Sequence, residues 1–127
     1  QRKYKISFNM EEKKDRLTRV HDILSKNKIR YTLIYSTGKH LDIIPYRASK
    51  GKAIRYLSYK WEIPLPRFLV SGDSGNDEEM MRGEQLGVVV GNYSQELAEL
   101  KGAHKVYFAK QHCAGGILEG IEKYRFI

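Results

Sequence analysis

Two carboxylates four residues apart, Asp73 and Asp77, stand in the stretch SGDSGNDEEMM at positions 71–81, around a turn rich in glycine, serine and asparagine. Hard oxygen ligands clustered in this way suit Mg²⁺, which takes one or two carboxylates and completes its shell with waters and phosphate oxygens. Lys50 is a second candidate. It falls just before or at the first turn of an expected helix, where the macrodipole disfavours a cation, so its position asks for a reason. A solvated basic patch with Arg47, Lys52 and Arg55 is the plainer alternative for Lys50. Asp, Asn, Ser and Gly are also ordinary turn and N-cap residues, so taken alone the acidic stretch equally reads as a capped turn.

What these residues can do depends on the elements that carry them. Arg67-Phe68-Leu69-Val70 is short and apolar like a buried strand, and 77–82 has helix-forming residues. The acids are therefore expected where a strand ends and a helix begins. In open α/β sheets that crevice binds ligands, and free N–H groups at a helix start can face an anion such as phosphate. Upstream, SKGKAIRYLSYKW predicts a helix whose Ala53, Ile54, Leu57 and Trp61 recur at helical spacing and are expected to be buried; Pro64 and Pro66 close that region. Downstream, the LGVVV run at 86–90 reads as a fully buried parallel strand. Ser94 then caps a short helix with Leu97 and Leu100 inward, ended by Gly102. His104 to Ala109 predicts a strand, and Ala114 to Tyr124 a last helix with Ile117, Leu118 and Ile121 inward. This alternation is that of parallel α/β layers.

The first part of the chain has a different order. Lys3 to Met10 alternates, with Tyr4, Ile6 and Phe8 on one face, and Glu11 to Lys26 predicts an amphipathic helix. Leu17, Val20 and Leu24 form its apolar stripe, widened by Ile23, while Glu11 and Glu12 at its start and Lys26 at its end complement the dipole. His21, beside the stripe, reads as a partly buried surface histidine. Residues 29–36 and 41–46 are strand-like, joined across Thr37-Gly38-Lys39 as a hairpin, and 45–49 forms a linker.

Composition narrows the function classes. At 127 residues and 41% hydrophobic content the chain can bury a core and is expected to be soluble, with no run long enough to span a membrane. A single cysteine, Cys113, excludes an internal disulfide framework and fits a cytoplasmic setting. The N-terminus lacks a signal-peptide pattern and an initiator Met, and the chain is expected to begin partway through a longer protein. The net charge of +8 is unevenly spread: residues 1–60 carry 16 Lys and Arg against 5 Asp and Glu, hence +11, and residues 61–127 carry 7 against 10, hence −3. A basic half can hold a polyanion or draw a phosphorylated small molecule toward an acidic half. With no zinc-finger spacing and no RNP-type aromatic motif, nucleic acid is not the expected partner. There is no GxSxG or P-loop pattern, and His112-Cys113 lacks the base and orienting partner that a nucleophile needs.

SKGKA at 49–53, followed about twenty residues later by GDSGND at 72–77, resembles the third and fourth motifs of the haloacid dehalogenase (HAD) superfamily of phosphatases. YSTGKHLDIIP, GVVVGN and the ending AGGILEGIEKYRF are similar to the sucrose-phosphatase group. GDSGNDEEMMRG with LGVVVGNYSQEL is especially like the phosphatase-like C-terminal domain of bacterial sucrose-phosphate synthases. The resemblance implies the C-terminal half of a Rossmann-like parallel core (47–127) with part of an α+β cap (1–46). It also implies a hydrolase that cleaves a sugar phosphate, sucrose 6-phosphate above all, through a phosphoaspartate. Lys50 matches the phosphate-binding lysine and Asp73 the metal-binding carboxylate for Mg²⁺. Asp77 matches the second acid, acting through metal-bound water or by ordering the loop, and Asn76 a phosphate or substrate contact.

One part of the pattern is missing. The family's nucleophile lies in a DxDx(T/V) motif, and the Asp-containing segments before Lys50, around Asp15, Asp22 and Asp42, do not match it. The second motif, a Ser or Thr ending a core strand, has no counterpart either, since Ser36 and Thr37 fall in the cap. The implied partner is thus the remainder of the same polypeptide, the N-terminal half of the core and a glycosyltransferase domain if the parent is a synthase of sucrose biosynthesis. Two alternatives stand beside a working phosphatase: a non-catalytic phosphatase-like domain of such a synthase, and a basic binding module.

Overall fold

The computed structural model describes residues 4–11 and 14–127; Lys3 of the first expected strand and Glu12 of the expected helix start lie outside the described residues. Two compact units divide the chain, Gln1–Ser49 and Lys50–Ile127.

In the first unit, β1 (Ile6–Asn9), α1 (Lys14–Lys26), β2 (Tyr31–Ser36) and β3 (His40–Pro45) follow the expected order, and the three strands form an antiparallel sheet in the order β1-β3-β2. β2 and β3 are joined by the expected three-residue turn. Thr37 and Gly38 both take positive φ, 54° and 66°, which lets the chain reverse within three residues and pairs Ser36 with His40. Since side chains alternate across a strand, the register Ile6–Ile43–Leu33 and Phe8–Leu41–Tyr35 puts one apolar set on a single face. Ser7–Asp42 and Asn9–His40 fall on the other. Leu41 and Ile44 are buried. α1 is tied to β2 through Tyr31, whose hydroxyl meets His21 Nδ1 at 2.5 Å and Ser25 Oγ at 3.2 Å. His21 itself is exposed rather than partly buried, because this bond holds it at the surface end of the contact.

The second unit is a parallel sheet, β4 (Leu69–Gly72), β5 (Leu86–Val89) and β6 (Val106–Phe108), paired in sequence order. α2 (Lys50–Trp61) precedes it, the short α3 (Glu78–Met81) and a 3₁₀ segment (Gln95–Leu100) make the crossovers, and α4 (Cys113–Tyr124) returns against β5. Val70, Met80, Met81, Val89, Leu97 and Leu100 form one buried cluster, with Ile54, Val106 and Phe108 packed against it. Each such side chain contributes about 1.5–3 kcal/mol on leaving water.

Several expectations for this unit change. The helix expected over 77–82 is a 3₁₀ turn, Gly75–Asp77, followed by four α-helical residues, and the short helix after Ser94 is 3₁₀ in type, with no cap hydrogen bond from the Ser94 side chain. Both segments are too short to gain much from α-type bonding, and the tighter 3₁₀ spacing closes them in fewer residues. The apolar stripe of α2 is buried only in part: Ile54 and Leu57 are half-buried, whereas Ala53 is exposed, Trp61 is 55% exposed, and Gly51 is the residue of that helix that is fully buried. α2 packs by its glycine end against α3, so its contact line runs through Gly51 and Ile54 and leaves Ala53 and Trp61 outside it. In α4, Leu118 is 61% exposed, while Gly116 and Gly120 are buried beside Val90 and Val88. Small residues let this helix approach the sheet closely, which turns Leu118 outward.

Candidate active site

β4 ends at Gly72, and the acidic turn begins on the next residue, at the carboxyl edge of the parallel sheet. The turn closes on Asp77. Its side chain is 6% exposed, and Oδ2 accepts the N–H of Asp73 at 3.0 Å and of Ser74 at 3.4 Å. Gly72 is required by this closure, since a Cβ there would collide with the Asp77 side chain. The N–H groups of Asp73 and Ser74 are thus taken by Asp77.

Lys50 arrives from the start of α2. Gly51 lies so close to α3 that a Cβ on it would stand 2.7 Å from the Glu79 carbonyl oxygen. This approach carries the Lys50 side chain to the turn. Its Nζ lies 2.5 Å from Asp77 Oδ1 and 3.0 Å from Asn76 Oδ1, and Asn76 Oδ1 also accepts from Ser74 Oγ at 3.3 Å. An ammonium has three N–H donors. Two are used by Asp77 and Asn76, and the half-exposed side chain leaves the third for an outside acceptor. The cation at an unfavourable helix position is thereby explained by a buried carboxylate across from it.

Asp73 is exposed, and among the described residues no hydrogen bond or ion pair engages its carboxylate. Its backbone is fixed at both ends, the N–H by Asp77 and the C=O by the Ser94 N–H at 2.7 Å. Of the four residues singled out from sequence, Lys50, Asn76 and Asp77 meet through their side chains, and Asp73 joins them through its backbone N–H. Among the described residues no group of three or more His, Cys, Asp or Glu could enclose a metal ion. A Mg²⁺ that uses one carboxylate with waters and phosphate oxygens is compatible with the unengaged Asp73. Both oxygens of Asp77 are occupied in the turn, so its arrangement is that of a residue ordering the loop.

Asp15 and Asp22 lie on α1, and Asp42 lies within the antiparallel sheet, bonded to Lys5 at 2.6 Å and Ser7 at 2.7 Å. None of the three stands at the end of a parallel strand. Burial pushes the Asp42 carboxyl up, but the Lys5 and Ser7 hydrogen bonds and the Lys5 charge outweigh it and hold it below the usual aspartate value. Around this pair Ser7, Asn9, Ser36 and His40 complete a polar cavity of about 480 Å³ that motif reading missed. The signal was present as the polar half of the strand alternation. Asn92, the last residue of GVVVGN, received no role from the sequence; its Oδ1 accepts the Cys113 N–H at 2.8 Å.

A family model described as sucrose-6F-phosphate phosphohydrolase matches residues 1–125. Probable sucrose-phosphatase 2 of Arabidopsis thaliana is 38% identical over 136 residues, covering 98% of this chain and 32% of that protein. The mannosylfructose-phosphate phosphatase of Agrobacterium fabrum is 38% identical over 96 residues, 72% of this chain and 38% of that one. Among solved structures, the sucrose-phosphatase of Synechocystis sp. PCC6803 in complex with sucrose and phosphate superimposes with a TM-score of 0.89 at 31% identity, covering 98% of this chain and 53% of its own. The chain thus spans about a third of the Arabidopsis relative and about half of the Synechocystis protein.

Proposed function

Because the chain belongs to the sucrose-6F-phosphate phosphohydrolase family of HAD-type phosphatases, we propose that it supplies the phosphate- and metal-binding part of a Mg²⁺-dependent sugar-phosphate phosphatase, with sucrose 6-phosphate as the preferred substrate. The observation that carries this reading is the meeting of Lys50 with Asn76 and Asp77 beside the unengaged Asp73 carboxylate.

In this reading the free N–H of Lys50 binds an oxygen of the transferring phosphoryl group, and its charge offsets what develops there. Asp77 keeps the ammonium oriented, and Asn76 lies within reach of a phosphate or substrate contact. Asp73 holds Mg²⁺, which when bound offsets further phosphoryl charge. The nucleophilic aspartate belongs to the remainder of the polypeptide. Its carboxylate attacks phosphorus, the sugar leaves as the alcohol, and water cleaves the resulting acyl phosphate to orthophosphate. β4 pairs only with β5 among the described residues, so its other edge can accept the strand that brings this group. The polar cavity of the first unit offers donors and acceptors for sugar hydroxyls. A free, exposed Cys113 is in keeping with the cytoplasm.

The second reading is a phosphatase-like domain without activity in a sucrose-phosphate synthase. A DxDx(T/V) motif upstream supports the first reading and a degraded one the second. In the full-length protein, Lys50→Ala and Asp73→Ala are each expected to lower Mg²⁺-dependent phosphate release from sucrose 6-phosphate by about 100-fold or more. Near-normal turnover in either variant would overturn the site assignment.

A further inference from the structure

The direction of the Asp73 carboxylate depends on its backbone, because no side-chain contact among the described residues holds it. One backbone bond, from its N–H, goes to Asp77 within the same turn. The other, at its carbonyl, comes from a separate segment, 90–94, which follows β5. That segment is bonded on two sides. Toward the turn, the Val90 N–H donates to Gly72 O at 3.2 Å and the Ser94 N–H to Asp73 O at 2.7 Å. Toward α4, the Gly91 N–H donates to Gln111 O at 2.8 Å, and Asn92 Oδ1 accepts from Cys113, the first residue of the helix.

The helix end is itself held for this contact. Cys113 has φ of 49°, a conformation uncommon for a residue with a side chain, and its N–H is one of those that have no partner inside the helix. Residues 110 and 111 are fixed from the other side by Glu119, which accepts both of their N–H groups and the Tyr107 hydroxyl. A continuous line of bonds therefore runs from α4 through Asn92 and Ser94 to the Asp73 carbonyl.

We propose that Asn92 is a positioning residue for Asp73: it anchors to α4 the segment whose Ser94 N–H sets the Asp73 backbone, and with it the aim of the carboxylate toward the metal. This rests on the assignment of Asp73 as a metal ligand. Asn92 is exposed, so its truncation removes the bond without opening the core.

The test is Mn²⁺ binding to the full-length protein, followed by electron paramagnetic resonance, with steady-state kinetics alongside. Asn92→Ala is expected to weaken Mn²⁺ binding about 5-fold, the scale of a lost capping bond, and to raise the KM for Mg²⁺ while leaving the KM for the sugar phosphate unchanged. Asn92→Asp retains an acceptor for the Cys113 N–H and is expected to bind Mn²⁺ within about 2-fold of wild type. Wild-type Mn²⁺ affinity in Asn92→Ala, or an Asn92→Asp variant as weak as Asn92→Ala, would overturn the positioning role. Asp73→Ala separates the two levels: if it loses Mn²⁺ binding the premise holds, and if it keeps full affinity the ligand assignment and the positioning role fall together.

Discussion

Replacing Asp77 by Asn tests whether this carboxylate orders the turn or serves mainly a metal. The change preserves size but leaves one acceptor oxygen where there were two. Asp77 Oδ1 faces Lys50 at 2.5 Å, and Oδ2 accepts the N–H groups of Asp73 and Ser74. An amide can serve one side only, and it turns its NH₂ toward either an ammonium or two N–H donors. Hydrogen bonds to a charged group contribute roughly 1.5–3 kcal/mol. Lys50 is half exposed and can turn its ammonium into water, so its share is closer to the 0–1 kcal/mol of a surface pair. The expected loss is therefore about 2–3 kcal/mol. With a urea slope of about 2 kcal/mol/M, the midpoint falls by roughly 1 M. Trp61, stacked on Phe68 at 6.4 Å in the same unit, gives the fluorescence signal, and amide exchange at Asp73 and Ser74 reports the turn directly. The loss is expected in EDTA as much as in Mg²⁺, because the bonds in question are made without the ion. A loss below about 0.5 kcal/mol in EDTA that grows when Mg²⁺ is added would refute the reasoning and make Asp77 a ligand first.

Two further outcomes are expected. Gly51→Ala places a methyl group against the Glu79 backbone carbonyl, which cannot yield as a side chain would; the overpacking cost of roughly 1–3 kcal/mol exceeds the gain in helix propensity of about 1 kcal/mol, and a variant more stable than wild type in thermal unfolding would contradict the packing described. Asp42, held below its usual value, contributes stability that is complete above the unfolded aspartate pKa and is lost as pH falls through the lower folded one; Ser7→Ala should move its carboxyl titration upward when followed by NMR, and a titration that stays in place would remove Ser7 as a cause.

Much of the architecture was legible because it rests on short-range periodicity. The order strand, helix, strand, strand, then alternating helix and strand, follows from alternation and 3.6-residue spacing, and the hairpin at Thr37–Lys39 from its turn residues. The same reasoning held only in part for α2 and α4, where Ile54, Leu57, Ile117 and Ile121 are half-buried but Ala53, Trp61 and Leu118 are exposed. It took apolar residues as the markers of the buried face, whereas Gly51, Gly116 and Gly120 make the close contacts and leave Trp61 and Leu118 at the surface. A glycine carries no hydrophobic signal, so periodicity is blind to it.

The sequence alone established the motif pair around Lys50 and Asp73, the parallel α/β character of the second part, and the lack of a matching nucleophile motif, since residue identity and local spacing are enough for each. Folding in three dimensions settled which oxygen meets which donor. Asp77 became the centre of the turn because its two oxygens face opposite ways, one toward a lysine 27 residues away and one toward its own backbone. The order β1-β3-β2 and the line from α4 through Asn92 to Asp73 likewise join residues distant in the chain. Such pairings are set by backbone groups that must find partners wherever the fold brings them, and backbone groups are the same at every position of a sequence.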